Sequence, residues 1–281
     1  MKAIRGRITI LTDNTVPEKS DIIAEHGFSA FLETSLGAFL FDAGQGKSVL
    51  HNAACLQKDL KNINKIVLSH AHSDHTGGLP EVLQALTAKP TDVFAHRDVF
   101  ADRFRRKNSE TYDGIPFTRE YLEKTGARFI FNDGYTEIEE GVFLTGEVPR
   151  RNSFEVGDMG GRFIIREGKA EPDSIRDDQS LVIRVEKGIL IVLGCAHAGI
   201  VNVIDYAMEK SGVEDIYGII GGTHIGLSGD EQLEQTIAAL KNYKIEHLIP
   251  AHCTGPEASF RLKSELDIKF RYSHVGLKFS F

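Results

Sequence analysis

The segment SHAHSDHTGG, residues 69–78, constrains this chain most, because four side chains of metal-ligand type fall within six positions. In a strand or an extended turn, alternate residues point to the same side, so His70, His72 and Asp74 are expected on one face. His75 would turn in where the chain bends toward the glycine pair. Imidazole and carboxylate groups bind zinc, iron and manganese. The spacing therefore predicts a metal centre. His70 and His72 would hold one metal, and Asp74 and His75 are available to a second.

Several other apolar, strand-like segments also end at residues that bind metals or protons. The residues that close such segments are Asp42, His70, His197, His224 and His252. In layered α/β proteins the active site gathers at one edge of the sheet. We therefore expect these side chains to converge. His96, at the end of the segment VFAH, is a further strand-end candidate.

The sequence around the histidine cluster resembles the metallo-β-lactamase superfamily. HAHSDH matches the HxHxDH signature, and AFLFDAG matches the first motif of the superfamily, a strand that ends at an aspartate, here Asp42. The resemblance implies an α/β protein with the four-layer αββα metallo-β-lactamase fold. It also implies an enzyme with one or two divalent metal ions per chain. Zinc is the first expectation, and manganese or iron also suits such ligands.

The same resemblance extends to the second half of the chain, with two departures. His252, in PAHCTG, matches the final histidine motif, but Cys195, in LIVLGCAHAG, stands where the superfamily usually has a metal-bridging aspartate. The usual middle histidine is also missing near IRDDQS, so His197 is the first candidate to replace it and Asp178 is the next. The motifs GCAHAGIVN, GGTHIG and PAHCTG resemble a branch named as metal-dependent hydrolases or as dihydropterin ribofuranosyl-aminobenzene phosphate synthases.

These matches imply a division of the ligands between two metal positions. The first position is assigned His70, His72 and His197. The second position is assigned Asp74, His75 and His252. Cys195 would bridge or border the two.

Three residues are predicted to act in catalysis. Asp74 would orient water or take its proton, as a carboxylate beside a metal can. His224 would polarise the substrate or donate to its leaving group. Asp42 would accept the distal N–H of a ligand histidine and so fix its tautomer.

Composition excludes several classes of partner. The 281 residues carry a formal net charge of −7, which argues against a broad nucleic-acid surface. No apolar run approaches the roughly 20 residues of a membrane helix, and the N-terminal segment lacks the apolar core of a signal peptide. Three cysteines, Cys55, Cys195 and Cys253, do not suggest a disulfide scaffold. We expect a cytoplasmic protein with a small-molecule substrate and no membrane or nucleic-acid partner.

Residues 1–281 are predicted to form a single domain with an insertion or lid at about 97–176. This segment is rich in charge: Arg97, Arg103, Arg105, Arg106 and Lys107. It is either a solvated surface or a lid that receives an anionic group, since arginine binds phosphate and carboxylate in a bidentate manner. Aromatic residues between these charges, and an apolar C-terminal tail, leave a homodimer open.

Three functions follow as hypotheses. The first is a hydrolase that cleaves a phosphoester, lactone or similar ester of a small anionic molecule with metal-activated water. The alternative is a transferase that joins a dihydropterin diphosphate to an aryl ribosyl phosphate and releases diphosphate. The second alternative is an iron-containing redox or sensor protein, since histidine and carboxylate sites also bind iron.

Overall fold

Two large β-sheets form the centre of the computed structural model, which describes residues 3–18, 21–106, 110–156 and 161–281. The first, seven-stranded among these residues, contains in spatial order β18 (Lys278–Ser280), β1 (Gly6–Thr12), β2 (Ser29–Thr34), β3 (Gly37–Phe41), β4 (Lys65–Val67), β5 (Thr91–Ala95) and β8 (Ala127–Phe131). The second, also seven-stranded in the described ranges, contains β17 (Lys269–Phe270), β16 (Lys244–Ala251), β15 (Asp215–Gly222), β14 (Gly188–Leu193), β13 (Leu181–Val185), β10 (Val142–Leu144) and β9 (Thr136–Glu139).

Helices cover the outer faces of both sheets. The α-helices are α1 (Val49–Cys55), α2 (Ser73–Thr76), α3 (Leu79–Ala85), α4 (Arg119–Thr125), α5 (Ile200–Ser211), α6 (Asp230–Leu240) and α7 (Pro256–Glu265). Short 3₁₀ turns occur at Leu60–Asn62, Arg97–Phe100, Ile225–Leu227 and His252–Thr254. Helices α1, α3 and α4 share a buried apolar cluster with the first sheet, and α5, α6 and α7 share another with the second.

Side-chain alternation along the strands explains the layering. In β3, Phe39 and Phe41 point into the core between the sheets, while Leu40 packs toward the helices. In β14, Leu190 points into the same core and Ile191 packs against the opposite helix layer. Strands buried on both faces are expected to be continuously apolar, as these are. The order is helix, sheet, sheet, helix, which confirms the predicted αββα fold.

Strand direction places the ligand-type residues at one edge. Strands β3, β4 and β5 run parallel, as do β14, β15 and β16. Asp42 and the histidine cluster follow the carboxyl ends of β3 and β4. Cys195, His224 and His252 follow those of β14, β15 and β16.

The structure narrows the predicted insertion at 97–176. Only its two outer parts form a separate sheet, of four strands in the described ranges, here called the insertion sheet: β12 (Lys169–Pro172), β11 (Arg162–Arg166), β6 (Asp102–Arg106) and β7 (Glu110–Tyr112). The middle part, α4 and β8 to β10, belongs to the main layers because its apolar residues pair with β5 and β13. Lys107 and the ranges 107–109 and 157–160 lie outside the described residues. Among the helices described, none is long and apolar enough to cross a membrane.

Candidate metal centre

The histidine cluster is only partly extended, which corrects the predicted alternation. His70 and His72 lie in the loop after β4, but helix α2 begins directly after His72, so Asp74 and His75 lie on a helical turn. Neighbouring backbone holds this turn: the amide of Phe28 donates to the carbonyl of Asp74 at 3.2 Å. A Cβ atom at Gly27 would lie 2.3 Å from that carbonyl oxygen, so the close approach requires glycine.

A first ligand group, His70, His72 and His197, brings three ring nitrogens together. Nε2 of His70 lies 2.9 Å from Nδ1 of His72 and 3.3 Å from Nε2 of His197. All three side chains are buried. Asp178, the other candidate for the third ligand, lies instead 3.8 Å from Nδ1 of His70, on the far side of that ring. The structure therefore places His197, and not Asp178, in the first ligand group.

Hydrogen bonds behind His70 set its tautomer. Ser69 Oγ donates to Asp42 Oδ2 at 2.7 Å and lies 2.9 Å from Nδ1 of His70. Because the hydroxyl has one proton, it accepts from the N–H at Nδ1 of His70. Nε2 of His70 is therefore the unprotonated nitrogen that faces the other two histidines. For His72, the group within hydrogen-bond distance of Nε2 is the guanidinium of Arg162, at 3.0 Å, while Asp113 Oδ2 lies farther away, at 3.6 Å.

The surroundings of the first ligand group favour neutral imidazoles. Burial lowers the pKa of His70, His72 and His197 well below the ordinary histidine value, and nearby histidines and arginines lower it further. Neutral imidazole is the form that binds metal ions.

A second ligand group, Asp74, His75 and His252, lies beside the first. Nε2 of His252 is 3.1 Å from Asp74 Oδ2, and Nε2 of His75 is 3.9 Å from the same oxygen. Cys195 borders this group, since its Sγ lies 3.1 Å from Nε2 of His75. His26, which sequence reasoning missed, also reaches Asp74 Oδ2, at 3.2 Å from its Nε2. A solitary histidine in an irregular loop carried no signal that could have identified it.

Acceptors behind the second ligand group direct Nε2 of each histidine forward. Asp42 Oδ2 lies 2.7 Å from Nδ1 of His75, and Asn14 Oδ1 lies 3.0 Å from Nδ1 of His252. Each accepts the Nδ1 proton, so Nε2 is free for a metal. Asp42 thus stands behind both groups, directly at His75 and through Ser69 at His70.

Charge distinguishes the second ligand group. Burial opposes protonation of His75, but Asp42 and Asp74 outweigh it and raise its pKa to about 9. Burial likewise opposes ionisation of Asp74, yet the contacts with His75, His252 and His26 lower the pKa of this carboxyl below its ordinary value. Without metal the pair is therefore a carboxylate and an imidazolium.

Backbone conformation at the strand ends is unusual for these residue types. Of seven non-glycine residues with positive φ in the described ranges, four border the site: Asp42, Ala196, His224 and His252, with φ between 47° and 58°. Such conformations cost on the order of 1 kcal/mol or more each and cluster at functional sites. Here they turn the chain sharply where each strand delivers its side chain.

A buried ion pair ties the insertion sheet to the first ligand group. Arg103 of β6 binds Asp177, and the other oxygen of Asp177 accepts from the amide of Ala71 at 2.8 Å. Ala71 lies between His70 and His72. Burial and the charge of Asp177 raise the pKa of neighbouring Asp178 to about 7.

Both ligand groups open onto a cavity of about 340 Å³. Arg105 and Arg162 of the insertion sheet line it together with Asp113, while His224 and Cys253 line it from the second main sheet. Arg162 lies 2.9 Å from Asp113 Oδ2 and 3.0 Å from Nε2 of His72. Arg105 was expected in a charged lid, but Arg162 and Asp113 were not foreseen, because nothing local marks them. His96 does not line this cavity, and its Nδ1 accepts a hydrogen bond from the backbone amide of Asp98 at 3.2 Å.

The donor set fits a divalent metal. The first ligand group offers three neutral imidazoles, and beside it lie a carboxylate, two further imidazoles and a thiol. Zinc and iron bind all of these donor types, whereas manganese favours the carboxylate and imidazoles over the thiol.

Comparison with known proteins identifies the family. A model described as the metallo-beta-lactamase superfamily matches residues 23–201. This chain belongs to the metallo-β-lactamase superfamily. A protein of Methanocaldococcus jannaschii that is described only as uncharacterized is 36% identical to this superfamily member over 272 residues, which span 96% of this chain and 98% of the relative.

Two further relatives of this superfamily member carry functional names. The 7,8-dihydropterin-6-methyl-4-(beta-D-ribofuranosyl)-aminobenzene-5'-phosphate synthase of M. jannaschii is 30% identical, over 96% of this chain and 95% of the relative. The crystal structure of Tm1679, described as a metal-dependent hydrolase of the beta-lactamase superfamily, superposes with a TM-score of 0.84 at 28% identity, over 98% of each chain. One name is a synthase and the other a hydrolase, so the family alone does not select the reaction.

Proposed function

We propose that this protein is a metal-dependent enzyme that hydrolyses a phosphoester, lactone or similar ester of a small anionic molecule. One observation carries the proposal: two adjoining ligand groups open onto a cavity that Arg105 and Arg162 also line. Metal-binding groups and anion-binding groups in one cavity suit a substrate that carries negative charge near its reacting bond.

A bound divalent metal, zinc first and manganese or iron as alternatives, would supply Lewis acidity and a water whose pKa falls from about 16 toward about 7. His70, His72 and His197 would hold the first metal, and Asp74, His75 and His252 the second. Asp42 and Asn14 would keep the ligand histidines in the tautomer that presents Nε2.

The remaining residues of the cavity would act on the substrate. Asp74 has a lowered pKa, so it stays ionised and is better suited to orient an attacking water than to take its proton. His224, whose ring centre is 4.3 Å from that of His197, lines the cavity and would donate to the leaving group. Arg105 and Arg162 would bind the anionic part of the substrate.

A second candidate function is transfer. It is favoured by the 30% identity, over nearly the whole chain, to the named dihydropterin synthase. In such a reaction the metal centre and the two arginines would bind a diphosphate leaving group, and an aryl ribosyl phosphate would take the place of water.

The two reactions differ in the fate of water. Metal-loaded protein would be incubated in ¹⁸O-labelled water with phosphoesters, lactones and a dihydropterin diphosphate, the last with and without an aryl ribosyl phosphate. Hydrolysis predicts ¹⁸O in the product phosphate or acid and no need for the second substrate. Release of diphosphate only when the aryl ribosyl phosphate is present, without ¹⁸O in either product, would replace hydrolysis by transfer. The metal-free His72→Ala variant gives the background.

A further inference from the structure

Two cysteines meet at the edge of the cavity. Cys195 follows β14 and Cys253 follows β16, two strands that are separated in the sheet by β15. The two Sγ atoms and one ring nitrogen of His252 all lie within 4.8 Å of one another. The third cysteine, Cys55, is exposed on α1 and does not line the cavity.

A glycine on the intervening strand makes this contact of thiols possible. Gly222 closes β15, and a Cβ atom there would lie 2.6 Å from the Sγ of Cys253 and 2.4 Å from the carbonyl oxygen of Gly194. The Cys253 sulfur therefore occupies space that any side chain at this position would fill. It reaches across β15 to within 3.9 Å of the carbonyl oxygen of Cys195.

The thiol pair adjoins the second ligand group. The Sγ of Cys195 lies 3.1 Å from Nε2 of His75, and Nε2 of His252 lies 3.1 Å from Asp74 Oδ2. Cys253 follows His252 directly, and both line the same cavity as Asp74. Sulfur and nitrogen donors thus surround one position, with a carboxylate at its border.

We propose that Cys253 binds the second metal together with Cys195 and His252, which makes this position a thiolate site that selects zinc or ferrous iron over manganese or magnesium. The reason is ligand softness: thiolates favour zinc and iron, while manganese and magnesium favour oxygen ligands. The proposal rests on the metal-binding part of the proposed function and is independent of the reaction.

Cobalt(II) reports thiolate ligands directly, because a Co–S bond gives a near-ultraviolet charge-transfer band that histidine and carboxylate ligands do not give. Chelator-treated, fully reduced protein would be titrated with two equivalents of cobalt without oxygen. Cys253→Ser and Cys195→Ser test the pair, and Cys55→Ser is the matched control. Circular dichroism of each variant checks the fold. If Cys253→Ser still binds cobalt through its hydroxyl, Cys253→Ala replaces it in the experiment.

The wild-type protein and Cys55→Ser are expected to show the full band. Each single variant of the pair should lose about half of the intensity, since one of two sulfur ligands is gone, and the double variant should lose all of it. Cobalt bound without this band, or an undiminished band in both Cys253 variants, would overturn the proposal but leave the metal centre standing. No cobalt bound to the wild type would overturn both.

X-ray absorption of the zinc-loaded protein gives a second readout. A sulfur shell at about 2.3 Å, beside nitrogen and oxygen ligands at about 2.0–2.1 Å, is expected and should shrink in Cys253→Ser. In competition experiments, the preference for zinc over manganese at the second position should fall in the Cys195→Ser, Cys253→Ser double variant. A preference equal to that of the wild type would contradict the role of the thiols.

Discussion

The two ligand groups lie side by side, but their surroundings favour opposite states of charge. His70, His72 and His197 are buried among groups that lower their pKa and keep them neutral. In the second ligand group, Asp74 and His75 stabilise each other as ions, and the pKa of His75 is raised to about 9. The first group is thus ready for a metal at neutral pH, whereas the second must first release a proton.

Their mechanical supports differ as well. The loop of the first group depends on the insertion sheet, through Arg103 and Asp177. Asp42, after β3, supports both groups, and the second group depends in addition on Asn14, in the loop after β1. Because Asp177 and Asn14 each support one group, the two metal positions can be perturbed one at a time.

Loss of the Arg103–Asp177 pair should have the largest effect. Replacing one partner of a buried ion pair leaves the other charge unpaired, so Arg103→Met should lower the free energy of unfolding by about 3–5 kcal/mol. It should also weaken the first metal before the second. Urea denaturation and metal analysis measure both. Arg106→Met is the control, because Arg106 pairs with Glu110 at the surface. Equal stability of the two variants would contradict the structural role of the pair.

The pH dependence of metal binding should separate the two positions. Below its pKa of about 9, His75 must lose a proton to bind a metal, and the Cys195 thiol, whose pKa is raised by burial, must lose another. The affinity for the second metal should therefore rise at least tenfold per pH unit up to about pH 9. The affinity for the first metal should hardly change through neutral pH, since its ligands are already neutral. Chelator competition at several pH values measures this. If the affinities for the two metals changed with pH in the same way, the two ligand groups would not differ in charge as described.

Support from Asn14 should matter to the second metal alone. Asn14→Ala removes the acceptor behind His252 and should weaken the second metal by about 10- to 100-fold. Thr15→Ala, at the next position of the same loop, is the control, because the Thr15 hydroxyl donates to the carbonyl of Ser273 and not to a residue of either ligand group. Stepwise calorimetric titration resolves the two affinities. Weakening of the first metal to the same degree would show that the groups share their support.

The smallest effect should come from a residue that belongs to neither ligand group. Arg105 lines the cavity, whereas Arg106, the next residue in β6, stacks on Phe163 outside it. Arg105→Gln should raise KM about tenfold with little change in kcat or metal content, because one partly exposed charged hydrogen bond is lost. Arg106→Gln should leave KM unchanged. Equal KM values of the two variants would show that Arg105 does not bind the substrate.

Sequence analysis predicted those features that are encoded in local residue patterns. The spacing of His70 and His72, and the apolar strands that end at Asp42 and His252, carried the family resemblance that predicted the fold. Most of the residues predicted as ligands lie close together in the structure. The helical turn that carries Asp74 was missed, since it depends on packing against Phe28 and Gly27.

Contacts between residues far apart in the sequence were not predicted, for the same physical reason. Arg162 approaches His72 only when the insertion sheet folds over the site, and His26 reaches Asp74 from a separate loop. Cys253 meets Cys195 only because Gly222 leaves room between their strands. None of these is a property of neighbouring residues in the sequence.

The metal content of protein purified without added metal or chelator, with oxygen excluded, tests the central claim most directly. Elemental mass spectrometry of the wild type and of His72→Ala would be compared. Two iron ions per chain, with a coloured protein, would favour a redox or sensor function over hydrolysis. The account predicts one or two zinc ions per wild-type chain, with manganese as an alternative at the first position only, and a loss of metal together with activity in His72→Ala. No metal in the wild type after reconstitution, or unchanged stoichiometry in the variant, would contradict it.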